Sequence, residues 1–120
     1  MQIIRASEGD TIDRSAAPIF EGGSVWGRSL VTASDHLTAA VISFAAGART
    51  KPHRHSSDQM LYVLAGIGKV GDDDGEHTIA TGDTALIPAQ TRHWHGAADT
   101  GSPMSHMTVM AAASQTTVED

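Results

Sequence analysis

Two pairs of histidines stand at a spacing that can build a metal site. His53 and His55 are separated by one residue, and His93 and His95 repeat that spacing later in the chain. Side chains two positions apart on a strand point to the same face, so each pair brings two imidazoles together. Imidazole nitrogen binds several divalent transition metals, and the absence of cysteine excludes thiolate ligands. These residues predict a metal centre made of nitrogen and oxygen donors.

The histidine pattern leaves three questions open. The same residues also fit a hydrogen-bonded core cluster that holds no ion, although every buried imidazole would then carry a desolvation cost. Alternation does not choose between His93 and His95 as a ligand, because both would face the same way. His106 lies in a later apolar run, where it can move protons beside a cation or can be a core histidine bonded to a carbonyl.

Composition restricts the class of protein and its partners. The chain has 120 residues, of which 40% are apolar and 18% are charged, which is typical of one folded domain. It has no apolar run long enough to span a bilayer, and its net charge of -6 gives no basic face for nucleic acid. The first residues are too weakly apolar for a secretion signal. We therefore expect a cytoplasmic protein that acts on a small molecule.

The elements that must carry the histidines are short strands. Runs that alternate or are β-branched lie between closely spaced glycines, and no segment has a helical period. The predicted strands are 24–32, 38–44, 59–65, 68–71, 77–80, 84–87, 94–97 and 105–111. Such a pattern predicts an all-β jelly roll, either a barrel or a sandwich of antiparallel strands. We expect residues 1–23 to form an irregular arm, 24–112 the domain, and 113–120 a flexible tail.

The first histidine pair resembles a motif of the small single-domain cupins, the cupin type-2 group. Their motif begins with glycine, reaches His-x-His after five residues, continues to a glutamate and closes on a second glycine. This chain has Gly47, then His53 and His55, then Gln59 in place of the glutamate, and then Gly66. The spacing agrees throughout.

The second histidine pair resembles the second cupin motif. Gly82 is followed after five residues by Pro88, and His93 stands where the family places its ligand. Two positions depart from the family pattern, since Gln90 replaces a glycine and Ala97 replaces an asparagine. Together the two motifs indicate a cupin fold over most of the chain.

The cupin resemblance implies a ligand set for a divalent metal ion. The ligands would be His53, His55, Gln59 and His93, and His95 would be part of the pocket wall or a hydrogen-bond partner. All four ligands are uncharged, so the ion would keep its full charge and act as a strong Lewis acid. We favour manganese, with zinc, iron, nickel or cobalt as alternatives. Gln59 has a second interpretation, in which its amide only bonds a neighbouring strand.

A closer resemblance narrows the function. The segments "ARTKPHRHSSDQ" and "HWHGAADTGSPMSHMTV" are similar to the cupins associated with carboxymuconolactone decarboxylases and to the bacterial cupin hydroxynitrile lyases. Those lyases use three histidines and a glutamine around manganese, and a histidine on a late strand assists proton transfer. The matching residue here is His106, which the resemblance makes the catalytic residue. The resemblance and the need to cover sheet edges also imply a homodimer.

The alternation of side chains along the strands predicts the residues of the pocket wall. The uncharged ligand set favours one function over its alternatives. Leu61, Val63, Thr108 and Met110 share inward parity with the proposed site and would line a mostly apolar pocket. The leading hypothesis is a metal-dependent lyase that makes or breaks a carbon–carbon bond without redox change. The alternatives are a metal-dependent dioxygenase or a polyketide cyclase, and the third hypothesis is a binding protein without catalysis.

Overall fold

The protein is all-β, as the sequence predicts. A computed structural model describes residues 1–31 and 33–119, and twelve strands occur within them. In chain order the strands are β1 (Ile12–Asp13), β2 (Phe20–Glu21), β3 (Val25–Ser29), β4 (Leu37–Phe44), β5 (Arg49–Thr50), β6 (His53–His55), β7 (Gln59–Asp72), β8 (Gly75–Ala80), β9 (Thr84–Ile87), β10 (His93–Gly96), β11 (Met104–Ala111) and β12 (Thr116–Val118). The described residues include no helix that is long and apolar enough to cross a membrane.

The strands form two curled antiparallel layers that enclose the core. The first layer runs in the order β1, β3, β4, β11, β7 and β9. In the second layer, β10 pairs with β7 on one side and with β5 and β6 on the other. Strands β8, β12 and β2 extend this layer by pairing with β7, β6 and β5. This arrangement is the predicted jelly roll.

Strand β7 belongs to both layers, which corrects the prediction of two separate strands at 59–65 and 68–71. Its first residues pair with β9 and β11, and its last residues pair with β8 and β10. The bend falls at Gly66, whose φ of 82° is accessible to glycine without strain. A side chain there would also collide with the carbonyl of Pro103. Glycine therefore bends the strand and does not end it.

Both ends of the described chain contain strands that the sequence did not reveal. In the segment 1–23, β1 pairs with β3 and β2 pairs with β5, so this segment lies against the barrel of the same chain. In the segment 113–120, which we expected to be flexible, β12 pairs with β6. Thr32, in the predicted strand 24–32, and Asp120, in the predicted tail, lie outside the described residues.

An apolar cluster fills the barrel beside the histidines. Its fully buried members come from both layers and are Val25, Phe44, Ala48, Val63, Ile79, Ala97 and Met104. The ring of Phe44 contacts two of the imidazoles, with centroids 5.5 Å from His106 and 6.0 Å from His95. The apolar cluster therefore supports the imidazoles from one side, because a close-packed core leaves them little room to turn.

Candidate metal centre

Three histidines from two strands converge inside the barrel. His53 and His55 lie on β6, and His93 lies on β10 directly opposite His53. All three are buried, and one nitrogen of each ring lies within 4.8 Å of the corresponding nitrogens of the other two. The separation of two along β6 turns both of its histidines inward, as alternation requires. This group of three could hold a metal ion.

Backbone carbonyls fix two of these rings. His53 Nδ1 lies 2.8 Å from the carbonyl oxygen of Lys51, and His93 Nδ1 lies 2.8 Å from that of Thr91. A carbonyl oxygen only accepts hydrogen bonds, so each Nδ1 must carry the proton and donate it. The lone pair of each neutral ring is then on Nε2, which is the atom that faces the other imidazoles. Such an outer hydrogen bond is the usual support of a metal-binding histidine.

Two of the converging nitrogens lack a hydrogen-bond partner within the described part of the chain. These are His53 Nε2 and His55 Nε2, and both are buried. A buried polar atom without a partner costs about 1–3 kcal/mol. A cation bound to both nitrogens would remove that cost. The donors are imidazole nitrogen and amide oxygen, so they suit a divalent transition metal.

The fourth predicted ligand lies beside the third histidine. Gln59 is buried at the start of β7, and its Oε1 is 3.0 Å from His93 Nε2. Its Nε2 donates to Thr108 Oγ1 at 2.9 Å, which directs the oxygen toward His93. Two adjacent donors that each bind one ion at about 2.1 Å lie about 3 Å apart, which is close to the observed separation of Gln59 Oε1 and His93 Nε2. The four residues therefore fit the divalent ion that the cupin resemblance implies.

A second pair of histidines lies next to the candidate ligands. His106 Nε2 is 2.9 Å from His95 Nδ1, and both residues are buried. The backbone N–H of His95 also donates to Thr50 Oγ1 at 3.0 Å, which fixes the start of this side chain. His93 and His95 lie on the same face of β10. His93 joins the group of three candidate ligands, whereas His95 pairs with His106. Within this pair one ring must donate an N–H and the other must accept it.

Burial lowers the pKa of every histidine in the two groups. Loss of hydration lowers the pKa of His53, His55 and His106 from 6.5 to about 4. The same cause lowers the pKa of His93, and it lowers that of His95 well below 6.5. The hydrogen bond from His53 to Lys51 opposes this decrease in pKa without cancelling it. All five rings are therefore neutral near pH 7, and their lone pairs are available.

A cavity of about 200 Å³ adjoins the metal centre. It is lined by two candidate ligand histidines, Gln59, the second histidine pair and a mostly apolar wall; the full set is Ile19, Phe20, Ile42, Thr50, His53, His55, Gln59, His95, His106, Thr108, Met110 and Thr116. The predicted pocket residues His95, Thr108 and Met110 are in this wall. A cavity of this size suits a small molecule.

Two predicted pocket residues are not in the cavity wall. Leu61 and Val63 point inward from β7 but are fully buried, and Val63 belongs to the apolar cluster. Alternation predicts which face a residue occupies but not its depth along the barrel. Sequence reasoning also missed Ile19 and Phe20, since the irregular segment 1–23 gave no period, and it missed Thr116 in the supposed tail.

Comparison with known proteins agrees with this geometry. The profile of the family described as "Cupin domain" matches residues 40–110. An (R)-mandelonitrile lyase from Granulicella tundricola is 36% identical over 74 residues, which cover 61% of this chain and 56% of that protein. The pectin degradation protein KdgF from Dickeya dadantii is 34% identical over 67 residues, which cover 55% of this chain and 61% of that protein. The matches thus span little more than half of each relative.

A solved structure shows the same fold over the whole chain. The polyketide cyclase RemF from Streptomyces resistomycificus superposes with a TM-score of 0.82, covering 100% of this chain and 86% of the other. Its sequence identity is 16%, so the likeness concerns the fold alone. The jelly roll, the converging histidines and the family match have one conclusion in common. The chain belongs to the cupin family.

Proposed function

We propose that this chain is a metal-dependent lyase that breaks or forms a carbon–carbon bond next to a hydroxyl or carbonyl group, as in a cyanohydrin. One observation carries the proposal: the candidate ligands are all uncharged, and a buried histidine pair lies beside them. The 36% identity with a mandelonitrile lyase supports the same reaction class. Three features of the site favour this chemistry: the uncharged ligands, the histidine pair that can transfer a proton, and the apolar lining of the cavity.

The ligand set favours polar chemistry over redox chemistry. His53, His55, His93 and Gln59 would hold the ion, and none of them contributes a negative charge. A bound divalent ion would supply Lewis acidity, which polarises an oxygen atom of the substrate. A neutral shell stabilises the trivalent state of a metal less well than a carboxylate does. We favour manganese, with zinc, iron, nickel and cobalt as alternatives.

The histidine pair supplies the proton transfer. At neutral pH both rings are uncharged, so His106 can accept the hydroxyl proton of a cyanohydrin. His106 would take that proton at Nδ1, because its Nε2 contacts His95 Nδ1 at 2.9 Å, and the Nε2 proton of His106 can then move toward His95. The bond between the carbinol carbon and the nitrile carbon then breaks, and its electron pair leaves with cyanide. Transfer of the proton from the histidine pair to the cyanide ion gives hydrogen cyanide, and the rest of the substrate becomes an aldehyde. No oxidant is required.

The cavity favours a small apolar substrate. Ile19, Phe20, Ile42 and Met110 supply the apolar part of the cavity wall. An aromatic or aliphatic side group can be buried against this wall while its hydroxyl faces the imidazoles. The described residues of the wall include no lysine or arginine to pair with an acidic substrate.

A second candidate is a reaction on a fragment derived from pectin. The 34% identity with a pectin degradation protein favours it, because that similarity is nearly as high as the similarity to the lyase. The same neutral ligands and histidine pair would serve a carbonyl reaction on a sugar fragment. The apolar wall favours the first candidate over this one.

Turnover of mandelonitrile by metal-loaded protein tests the proposal. We expect release of benzaldehyde and cyanide that is lost in His53→Ala and in His106→Ala. The matched control is His77→Ala, an exposed histidine on β8 that lies outside the cavity wall. No turnover with manganese, iron, zinc, nickel or cobalt would refute the lyase. Oxygen consumption coupled to substrate loss would favour a dioxygenase in its place.

A further inference from the structure

The strand β12 pairs with β6, the strand that carries two candidate ligands. Its register places Thr116 opposite His55 and Val118 opposite His53. Thr116 Oγ1 is 2.8 Å from His55 Nδ1, whereas the neighbouring ligand rings are held by backbone carbonyls. Among the described residues, His55 is therefore the one histidine of the group of three whose Nδ1 contacts a side chain.

Several bonds fix β12 in this position. The backbone N–H of Glu119 donates to the carbonyl of Pro52 at 2.8 Å, and that of Ser56 donates to the carbonyl of Gln115 at 2.9 Å. These two bonds bracket Thr116 on both sides. The backbone of β12 therefore determines where the Thr116 hydroxyl lies.

The carboxylate of Glu119 adds a second connection. Its Oε1 accepts from Arg54 Nε at 2.7 Å, and its Oε2 accepts from Arg92 Nε at 2.6 Å. Arg54 separates His53 from His55, and Arg92 immediately precedes His93. One carboxylate thus links β6 to the residue that immediately precedes β10, the two strands that supply the three candidate histidine ligands.

We infer that Thr116 is a positioning residue for metal binding, which acts by holding the His55 ring with its Nε2 toward the ion. The inference rests on the metal site of the proposed function and extends it to a residue outside both cupin motifs. For Nε2 to bind a cation, Nδ1 must carry the proton, and the Thr116 hydroxyl is the acceptor within reach. Such an acceptor fixes both the tautomer and the orientation of the ring.

Two variants of Thr116 and one control distinguish the effect of its hydroxyl group from the effect of its side-chain shape. Thr116→Val keeps the branched shape and removes the acceptor, so the dissociation constant for Mn²⁺ or Zn²⁺ should rise by about 10–100-fold. Thr116→Ser keeps the hydroxyl and should bind nearly as tightly as the unchanged protein. Thr117→Val is the matched control, because Thr117 pairs with Arg54 and faces away from the ligands. Equal affinity of the Thr116→Val variant and the unchanged protein would overturn the inference.

A double-mutant cycle tests whether Thr116 acts through His55. In a His55→Ala background, Thr116→Val should cause no further loss of metal affinity, because the ring that it positions is gone. A loss of the same size in both backgrounds would mean that Thr116 supports the fold in general and would overturn the inference. Competition with a chelator of known affinity measures all of these constants.

The tautomer of His55 gives a readout that requires no metal. We expect imidazole ¹⁵N shifts of the metal-free protein to show the proton on Nδ1 of His55, and Thr116→Val to increase the share of the Nε2-protonated form. The same tautomer in both proteins would contradict the inference. If affinity and tautomer change as expected but mandelonitrile is not turned over, the lyase proposal fails and the positioning role stands. If Thr116→Val loses turnover alone, the positioning role fails.

Discussion

His93 Nε2 and Gln59 Oε1 face each other at 3.0 Å although neither atom carries a proton in the neutral structure. His93 has its proton on Nδ1, where it donates to Thr91, and Gln59 donates from its nitrogen to Thr108. Two lone pairs therefore point at one another inside the barrel. A cation shared by the two atoms would convert this repulsion into attraction.

We predict that the charge at position 59 controls how tightly a divalent metal ion binds. Gln59→Glu places a carboxylate beside His93, and a charged contact of about 1.5–3 kcal/mol corresponds to about tenfold or more in affinity. We expect tighter divalent metal binding together with slower mandelonitrile turnover, since the ion becomes a weaker Lewis acid. Chelator competition and a cyanide assay measure the two effects. Gln115→Glu, on an exposed loop, is the control, and weaker binding in Gln59→Glu would contradict the prediction.

Acid should destabilise the metal-free protein in a defined window. His53, His55 and His106 have a pKa of about 4 when folded against an ordinary 6.5, so between these values the unfolded chain binds more protons. The free energy of unfolding should therefore fall as the pH decreases from 6.5 to 4. Each of the three residues can contribute up to about 1.4 kcal/mol to this loss for every pH unit crossed. Urea unfolding at several pH values measures it.

A control and a second effect accompany the acid prediction. The control variant is His36→Ala, which removes an exposed histidine outside both buried groups. Bound metal should be released in the same window, since a ring protonated at Nε2 cannot be a ligand. A stability that stays constant from about pH 7 to about pH 4.5 would be inconsistent with buried neutral imidazoles.

The packing of Trp94 on Gly71 positions the strand that carries His93. A Cβ on Gly71 would lie 2.5 Å from ring atoms of Trp94, and the Arg49 guanidinium covers that ring at 4.8 Å from its centroid. Gly71→Ala should lower the free energy of unfolding by about 1–3 kcal/mol and weaken metal binding. Thermal melting and metal titration measure both. Gly27→Ala should cost less, since its Cβ would meet a flexible side chain 3.3 Å away.

The homodimer stays a prediction, and the outer face of the first layer is where we expect it to form. Met107 lies opposite Tyr62, and Met60 lies opposite Leu86, which makes a continuous apolar surface. Tyr62 and Leu86 are 38% and 68% exposed. A second copy can cover this face with two-fold symmetry. Light scattering should give twice the mass of one chain, Leu86→Glu should give monomers, and a monomeric unchanged protein would refute the prediction.

The strands with a clear period were predictable, and the shortest ones were not. The predicted strands 38–44, 77–80, 84–87, 94–97 and 105–111 agree with the structure within two residues at each end. Strands β5, β6 and β12 have two or three residues, which is too short for alternation to be visible. Gly66 resembled a strand end because a bend and a termination use the same residue.

The convergence of three histidines was predictable from the sequence, but their hydrogen-bond partners were not. His53, His55 and His93 converge as the two motifs imply, because alternation and the family spacing act together. The 2.9 Å contact between His95 and His106 joins β10 to β11, and no local pattern encodes such a pairing. The contact of the Thr116 hydroxyl with His55 was not predictable for the same reason. A polar segment at the end of a chain indicates flexibility unless the strand with which it pairs is known.

The bend of β7 has a consequence for how the barrel holds together. A single strand runs from Gln59 in the first layer to Asp72 in the second, so the two layers share one continuous stretch of backbone. We therefore expect the two layers to unfold together as one cooperative unit. Gly66 joins the layers without a loop, so the strand that begins at Gln59 ends at Asp72, directly opposite His93.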